Sequence, residues 1–145
     1  MRKAIVITKQ DHRQLQNLLA EVALSQPRDR GDLVALRDEL YRAVIVDAHE
    51  VPADVVTMNS RAELVDLDSG EAAVFTLVFP ADAAIDENKI SVLAPVGAAM
   101  LGYRVGDEFE WTVPGGTRRM RVGHVQYQPE AAGDFTGRVA RPMVS

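Results

Sequence analysis

The hydrophobic periodicity of the chain changes near Asp47, and this change constrains the fold more than any other feature of the sequence. Before it, apolar residues recur every three or four positions, which is the repeat of an amphipathic helix. After it, apolar and polar residues alternate, or form short β-branched runs bounded by turn residues, which is typical of strands. Helices followed by a group of strands predict an α+β protein.

The first helical segment follows Thr8, a residue type that caps helices, and has Asp11 in its first turn. Its apolar residues lie three or four positions apart, on one face of a helix. These residues are Leu15, Leu18, Leu19 and Val22. The helix is predicted to end near Ser25, because the Pro and Gly within residues 26–31 interrupt the pattern.

The second helical segment starts at Asp32, which can cap it. Its apolar seam has heptad-like spacing and consists of Leu33, Leu36, Leu40 and Ala43. The two helices are predicted to form an antiparallel hairpin, a short coiled coil with arms of roughly 14 to 17 residues, or about 21 to 26 Å. The alternative is two core helices of one globular domain. We expect a hairpin at 1–49 and a sheet domain at 50–145.

The sheet domain is predicted to contain at least four antiparallel strands and one short helix. The strands are expected at 61–67, 71–79, 108–113 and 117–127, and a further strand begins at 90–93. Pro95 suits the first turn of the short helix and Gly102 its end. The residues expected on its buried side are Val96, Ala99 and Met100.

Composition excludes several classes of protein. The chain contains no cysteine, so disulfides and thiolate zinc sites are excluded. No window approaches about 18 consecutive apolar residues, so no membrane-spanning helix is predicted. The apolar run from Ala4 to Ile7 is too short for a secretory signal. We therefore expect a cytoplasmic protein with no membrane partner and no cofactor.

Charge is distributed unevenly along the chain. Residues 8–46 carry six cations and six anions, whereas residues 47–145 carry eight cations and fifteen anions. An acidic surface repels phosphate backbones, so no direct sequence-specific binding of nucleic acid is predicted. The same surface favours association with a basic protein surface.

One long stretch, ISVLAPVGAAMLGYRVGDEFEWTVPGG at 90–116, carries several short motifs in a fixed order. The motifs Ile-Ser, Pro-x-Gly-x-Ala-x-Leu-Gly, Val-Gly-Asp and Pro-x-Gly resemble the signature of the C-terminal domain of bacterial Gre transcript-cleavage factors. Within that superfamily, three stretches are similar to the Rnk family in particular. These are DVVTMNSR at 54–61, APVGAAMLGYRVGD at 94–107 and YQPEAAGD at 127–134. The resemblance covers nearly all of 50–135. Over the hairpin, only the arrangement of two helices joined by a loop is similar.

The resemblance implies an FKBP-like fold for the sheet domain and docking on RNA polymerase beside its secondary channel. The family's polymerase contact lies in the loop before the short helix, here Leu93, Ala94 and Pro95. Gre factors often have an acidic residue and a serine where this chain has Leu93 and Ala94, whereas Pro95 is kept. Without the resemblance, Ala94 and Pro95 are interpreted only as a helix N-terminus.

The predicted hairpin tip consists of Arg28, Asp29, Arg30 and Asp32. Gre factors carry Gly-Asp-Leu-x-Glu at the tip, and its two acids help to hold the second metal of the polymerase active site. The corresponding residues 31–35 keep the aspartate, but Ala35 stands in the place of the glutamate. A pair of Asp29 and Asp32 is an alternative, and a helix cap is the interpretation we favour for Asp32. We expect no metal site and no catalytic residue.

Weaker patterns favour structural roles. Residues 66–71 faintly resemble a calcium loop but are predicted to form a hairpin turn. Arg118, Arg119 and Arg121 are predicted to form a solvated or salt-bridged face. The three histidines, His12, His49 and His124, lack metal-ligand spacing.

The interpretation that fits these features best is a monomeric, non-enzymatic regulator that binds RNA polymerase and competes with Gre factors. Three alternatives stay open. They are a Gre-type cleavage factor that acts with the polymerase metal, a proline isomerase, and a direct regulator of nucleoside diphosphate kinase.

Overall fold

The computed structural model describes residues 4–25, 31–113 and 115–133. Its N-terminal segment contains, in order, β1 (Val6–Thr8), α1 (Lys9–Ser25), α2 (Gly31–Arg42) and β2 (Val44–Val46). The remainder contains β3 (Arg61–Asp66), β4 (Ala72–Val78), β5 (Lys89–Ser91), α3 (Pro95–Met100), β6 (Glu108–Val113), β7 (Gly116–Tyr127) and α4 (Pro129–Ala132). The predicted α+β class is confirmed.

The two helices of the N-terminal segment are flanked by a short parallel pair of strands. β1 and β2 align Val6 with Val44 and Thr8 with Val46, so the chain enters and leaves the hairpin at one place. The sequence analysis did not predict this pair. α1 has 17 residues as expected, but α2 has only 12. At 1.5 Å per residue the arms are about 25 and 18 Å long.

The predicted cap is present at the start of α1 but not at the start of α2. The N–H of Asp11 donates to Thr8 Oγ1 at 3.1 Å, so Thr8 caps α1 as predicted. α2 already begins at Gly31. Asp32 therefore lies inside the first turn of α2 instead of at the predicted cap position.

The main sheet has the strand order β5-β4-β3-β7-β6. Its central strand β3 pairs antiparallel with β4 and with β7, and β6 pairs antiparallel with β7. β5 pairs parallel with β4, because the connection at 79–88 returns the chain to the same end of the sheet. Two short 3-10 helices, Pro80–Asp82 and Ile85–Glu87, form this connection. The sheet is therefore mixed, although mostly antiparallel, and its FKBP-like character stays a prediction.

The alternation predicted for β3 is confirmed. Ala62, Leu64 and Asp66 are buried on one face of the strand, and the residues between them are half-buried. This face lies on a hydrophobic core that also includes the hairpin residues Leu15, Leu36 and Leu40.

The core therefore crosses the predicted boundary between 1–49 and 50–145. Ile5 and Ile7 of the N-terminal segment are each 1% exposed and belong to the same hydrophobic cluster as Met100 and Leu101. Full burial of one such side chain contributes about 1.5 to 3 kcal/mol. The division into two domains stays a prediction. Because the core is shared, a domain that folded alone would lose the stabilisation from apolar side chains of the other part.

A buried carboxyl group lies where the hairpin joins the sheet. Asp11 is 7% exposed, and its Oδ2 accepts the N–H of Met58 at 3.1 Å. Burial, followed by the nearby carboxylate of Glu130, raises the pKa of Asp11 to about 7, while hydrogen bonds from the Met58 backbone and with Thr8 oppose the rise. Asp11 lies in the first turn of α1 as predicted from the sequence, but its burial was not predicted.

This burial makes stability depend on pH. The folded state holds a proton on Asp11 that the unfolded chain, with the ordinary pKa of 3.8, has released. We therefore expect the free energy of unfolding to fall as pH rises from 3.8 to about 7 and to level off above that range. One proton gives a slope of at most about 1.4 kcal/mol per pH unit.

The Asp11→Asn variant tests this assignment, because it removes the titration and keeps an acceptor for the Met58 N–H. It should be more stable than the wild type at about pH 8 and differ little at about pH 4. Urea denaturation across this range measures both proteins, with the exposed Asp38→Asn as the matched control. The same pH dependence in wild type and Asp11→Asn would contradict the assignment.

Candidate functional site

The turn between β5 and α3 contains Leu93, Ala94 and Pro95. Ala94 is the N-cap residue of α3 and Pro95 is its first residue. The N–H groups of Leu93 and Ala94 donate to the side-chain oxygen and the carbonyl oxygen of Ser91, each at 3.0 Å. Leu93 also packs against the core. Ser91 therefore holds the turn in one conformation, with Leu93 and Ala94 half-exposed.

Gly97, two positions after Pro95, has no room for a side chain. A Cβ atom at Gly97 would collide with the carbonyl oxygen of Ser91 and would lie 3.2 Å from the Cα of Val92. The first turn of α3 therefore packs directly on the backbone at the end of β5. This close approach fixes the direction of α3 relative to the turn.

Gly102 ends α3 as predicted, with the left-handed φ of 78° that favours glycine. A Cβ atom at this position would collide with the side chain of Ile5. The residue before β1 therefore packs against the end of α3. The β5–α3 turn and the base of the hairpin are in this way connected through one short helix.

Two elements that flank the β5–α3 segment in the sequence carry exposed acidic side chains. The connection before β5 and the strand β6, against which α3 packs, both contribute exposed carboxylates. These residues are Asp82, Asp86, Glu87, Glu108 and Glu110. Lys89 neutralises part of this charge through an ion pair with Glu87 at 3.0 Å. The surface of these two elements can therefore attract a basic partner.

The predicted hairpin tip is only partly described. Arg28, Asp29 and Arg30 lie outside the described residues, and for Asp32 the description is limited to its backbone position in the first turn of α2. Their predicted roles stay predictions.

The three Rnk-like stretches converge on residues 55–60. These residues are all buried but lie outside regular helices and strands. The N–H of Val56 donates to the carbonyl oxygen of Tyr103, and the N–H of Gly102 donates to that of Val56, both at 2.8 Å. The stretch at 94–107 therefore supplies hydrogen-bond partners for the stretch at 54–61.

The stretch at 127–134 contacts the same buried segment from another side. Gln128 Nε2 donates to the carbonyl oxygens of Pro52 and Val55, at 2.7 and 2.8 Å. Thr57 Oγ1 donates to Glu130 Oε1 at 2.7 Å. Neither α4 nor the role of these polar residues was predicted from the sequence. The signal that could have found α4 is Gln-Pro-Glu, a cap residue followed by proline and an acid in the first turn.

The weaker patterns have structural roles. Asp66 Oδ1 accepts the N–H groups of Asp68 and Ser69, and its Oδ2 accepts a hydrogen bond from Arg118 at 2.6 Å. These bonds, the two backbone bonds first, lower the pKa of Asp66. The predicted hairpin turn and salt-bridged face are confirmed, and His12 Nε2 lies 3.0 Å from the carbonyl oxygen of Leu40.

One group in the described part of the chain has the composition of a metal site. The possible ligand atoms of Asp47, His49 and Glu50 lie within 4.8 Å of one another. Lys9 already forms an ion pair with Asp47 at 2.9 Å, and Glu50 Oε1 accepts the N–H of Asp47 at 3.0 Å. Because its carboxylates already have partners, we assign no metal to this group. Across the described ranges, no helix is both long and apolar enough to cross a bilayer.

Comparison with known proteins assigns both parts of the chain to families. Residues 51–127 match the family "Transcription elongation factor, GreA/GreB, C-term", and residues 3–46 match "Rnk N-terminus". The chain is 48% identical over 118 residues to the "Regulator of nucleoside diphosphate kinase" of Escherichia coli K12. The aligned region covers 79% of this chain and 87% of that protein. It is 36% identical over 102 residues to "Transcription elongation factor GreA" of Clostridium perfringens SM101, covering 70% of this chain and 65% of that protein.

A solved structure agrees with this assignment. The "Prokaryotic transcription elongation factor GreA/GreB from Nitrosomonas europaea" superposes with a TM-score of 0.72 at 40% identity, over 87% of this chain and all of that one. The chain therefore belongs to the GreA/GreB superfamily, and within it to the Rnk family, with a Rnk-type N-terminal segment in front of a Gre-type C-terminal domain.

Proposed function

We propose that this chain is a non-enzymatic regulator that docks on RNA polymerase near the secondary channel and competes with Gre factors for that place. The observation that carries the proposal is the β5–α3 turn. Ser91 and the close approach at Gly97 hold Leu93 and Ala94 half-exposed at the place where the family resemblance puts the polymerase contact. The protein would act in the cytoplasm as a monomer.

Electrostatics support the same assignment. Residues 47–145 carry seven more anions than cations, and the connection before β5 and the strand β6 together expose five carboxylates. A negative surface of this kind is attracted to a basic protein surface and is repelled by nucleic acid. Docking would therefore use a protein surface of the polymerase.

The hairpin supports regulation more than cleavage. Ala35 replaces the glutamate of the Gre tip, so one carboxylate of the metal-holding pair is missing. A hard divalent cation binds weakly to one carboxylate, because it requires several oxygen ligands. With only 12 residues in α2, that arm is about 18 Å long at 1.5 Å per residue. The alternative of a cleavage factor rests on Asp32 and on the GreA relatives.

The other two alternatives have less support. Phe109 packs edge-on against Tyr103 with ring centroids 5.9 Å apart, and both residues are buried in the core. They do not line an open aromatic pocket such as a proline isomerase would need. Direct regulation of nucleoside diphosphate kinase rests on the name of the Escherichia coli relative, since shared ancestry alone does not transfer a partner.

The Pro95→Asp variant tests docking. If the turn is the centre of the interface, the loss should be about 2 kcal/mol or more, which is about a 30-fold increase in the Kd for core RNA polymerase. Aspartate is acceptable at the start of a helix, so the variant should fold. Binding is measured by surface plasmon resonance, and folding by circular dichroism.

The matched control is Ser69→Asp, which adds the same charge at the opposite end of β4, in an exposed turn. It should bind polymerase as the wild type does. Equal affinities for a well-folded Pro95→Asp variant and for the control would rule out the turn as the docking site.

The cleavage assay separates the regulator from the cleavage factor. We expect the natural protein alone to give no stimulation of transcript cleavage in a backtracked complex. We expect an excess of it to inhibit cleavage by a Gre factor, because both would occupy one docking site. Ala35→Glu alone should not restore cleavage, because the length of the hairpin remains limiting.

The readout is the shortening of radiolabelled RNA with time. Rapid magnesium-dependent shortening on addition of this protein alone would overturn the non-enzymatic assignment and favour the cleavage factor. A protein that leaves Gre-dependent cleavage unchanged at saturating excess would refute the competition.

A further inference from the structure

Two kinds of contact attach the hairpin to the sheet. The first is apolar packing of Leu15, Leu36 and Leu40 in the shared core. Apolar burial stabilises the attachment, but it is non-directional and tolerates small rotations of a helix. The second is the buried hydrogen bond from the Met58 N–H to Asp11, which adjoins a wider set of hydrogen bonds around Thr57. Hydrogen bonds are directional, so they select one arrangement.

Thr57 is at the centre of these hydrogen bonds. Its Oγ1 donates to Glu130 Oε1 at 2.7 Å and lies 2.8 Å from Ser60 Oγ. Because the Thr57 proton is committed to the carboxylate, the Ser60 hydroxyl donates to Thr57. The Ser60 Oγ in turn accepts the N–H of Thr57 at 2.9 Å. Thr57 and Ser60 are 1% and 0% exposed, so the bonds between them are shielded from water, whereas Glu130 is half-buried.

The neighbouring residue extends the network to the hairpin. The N–H of Met58 donates to Asp11 on α1, while Thr57 donates to Glu130 on α4. Two carboxyl groups from opposite ends of the chain are thus held on adjacent residues. Glu130 is the charged side chain that acts on Asp11 in the described part of the chain, and the other groups facing Asp11 are Thr8 and the Met58 N–H. The network is therefore most stable when Asp11 is neutral.

The network also reaches α3, the helix that begins at the proposed docking turn. Val56, next to Thr57, exchanges backbone hydrogen bonds with Gly102 and Tyr103, which follow α3. Residues 56–58 thus connect the start of α1 to the end of α3. If the hydrogen bonds of Thr57 hold this segment in one conformation, they also hold the start of α1 relative to the end of α3.

We propose that Asp11, Thr57 and Glu130 are positioning residues that set the angle between the hairpin and the β5–α3 turn. The inference deepens the proposed function, since that angle would decide where the hairpin points on docked polymerase. Its test uses the isolated protein, so it can fail or succeed independently of polymerase binding.

The chain has no cysteine, so two introduced cysteines give a defined pair of spin labels. Asn17→Cys on α1 and His124→Cys on β7 are both exposed sites. Double electron–electron resonance then measures the distance distribution between hairpin and sheet. We expect a narrow distribution at about pH 6 and one at least about twofold broader at about pH 8.5, where Asp11 is ionised beside the carboxylate of Glu130.

Two variants separate positioning from simple packing. Thr57→Val keeps the shape but loses the hydroxyl, so its distribution should be broad at both pH values. Glu130→Gln keeps an acceptor for Thr57 but removes the charge, so its distribution should be narrow at both. The control Thr76→Val removes the hydroxyl of another buried threonine, on β4, and should behave as the wild type does.

A wild-type distribution that is narrow at both pH values would overturn the proposal, as would a folded Thr57→Val variant with the wild-type distribution. If Thr57→Val does not fold, the comparison of wild type with Glu130→Gln decides alone. Identical pH responses in that pair would reject Glu130 as a positioning residue.

Discussion

The structure depends on the burial of residues 55–60, a segment that forms no regular helix or strand. Buried backbone groups are costly unless they are hydrogen-bonded. The partners come from the backbone of Tyr103 and of Leu77 on β4, and from the side chains of Gln128 and Asp11. The segment therefore holds the hairpin, the sheet, α3 and α4 in one arrangement.

This arrangement gives a physical meaning to the three stretches that mark the Rnk family. They are distant in sequence. The stretch at 54–61 contains the buried segment, and the other two complete its hydrogen bonds. A change in one stretch would leave buried polar groups unpaired in another, at a cost of about 1 to 3 kcal/mol for each group. The glycines at 97 and 102 fit the same account, since each allows a backbone approach that a side chain would block.

The same geometry relates the chain to its Gre relatives and separates it from them. The β5–α3 turn is held by backbone packing, so it can present a docking surface without any reactive side chain. The hairpin has arms of 17 and 12 residues and one tip carboxylate fewer than the Gre pattern. These two features are the physical basis of the proposal that the protein occupies a docking site without stimulating cleavage.

The sequence by itself determined what depends on local pattern. The α+β class, the Thr8 cap, the alternation of Ala62, Leu64 and Asp66, and the turn after Asp66 all follow from periodicity and turn chemistry. Only the tertiary structure decided the pairing of β1 with β2, the parallel addition of β5, and the burial of Asp11 beside Met58 and Glu130. These features join residues far apart in the chain, and a carboxyl in a first helical turn has the same local sequence whether water or a protein core lies beside it.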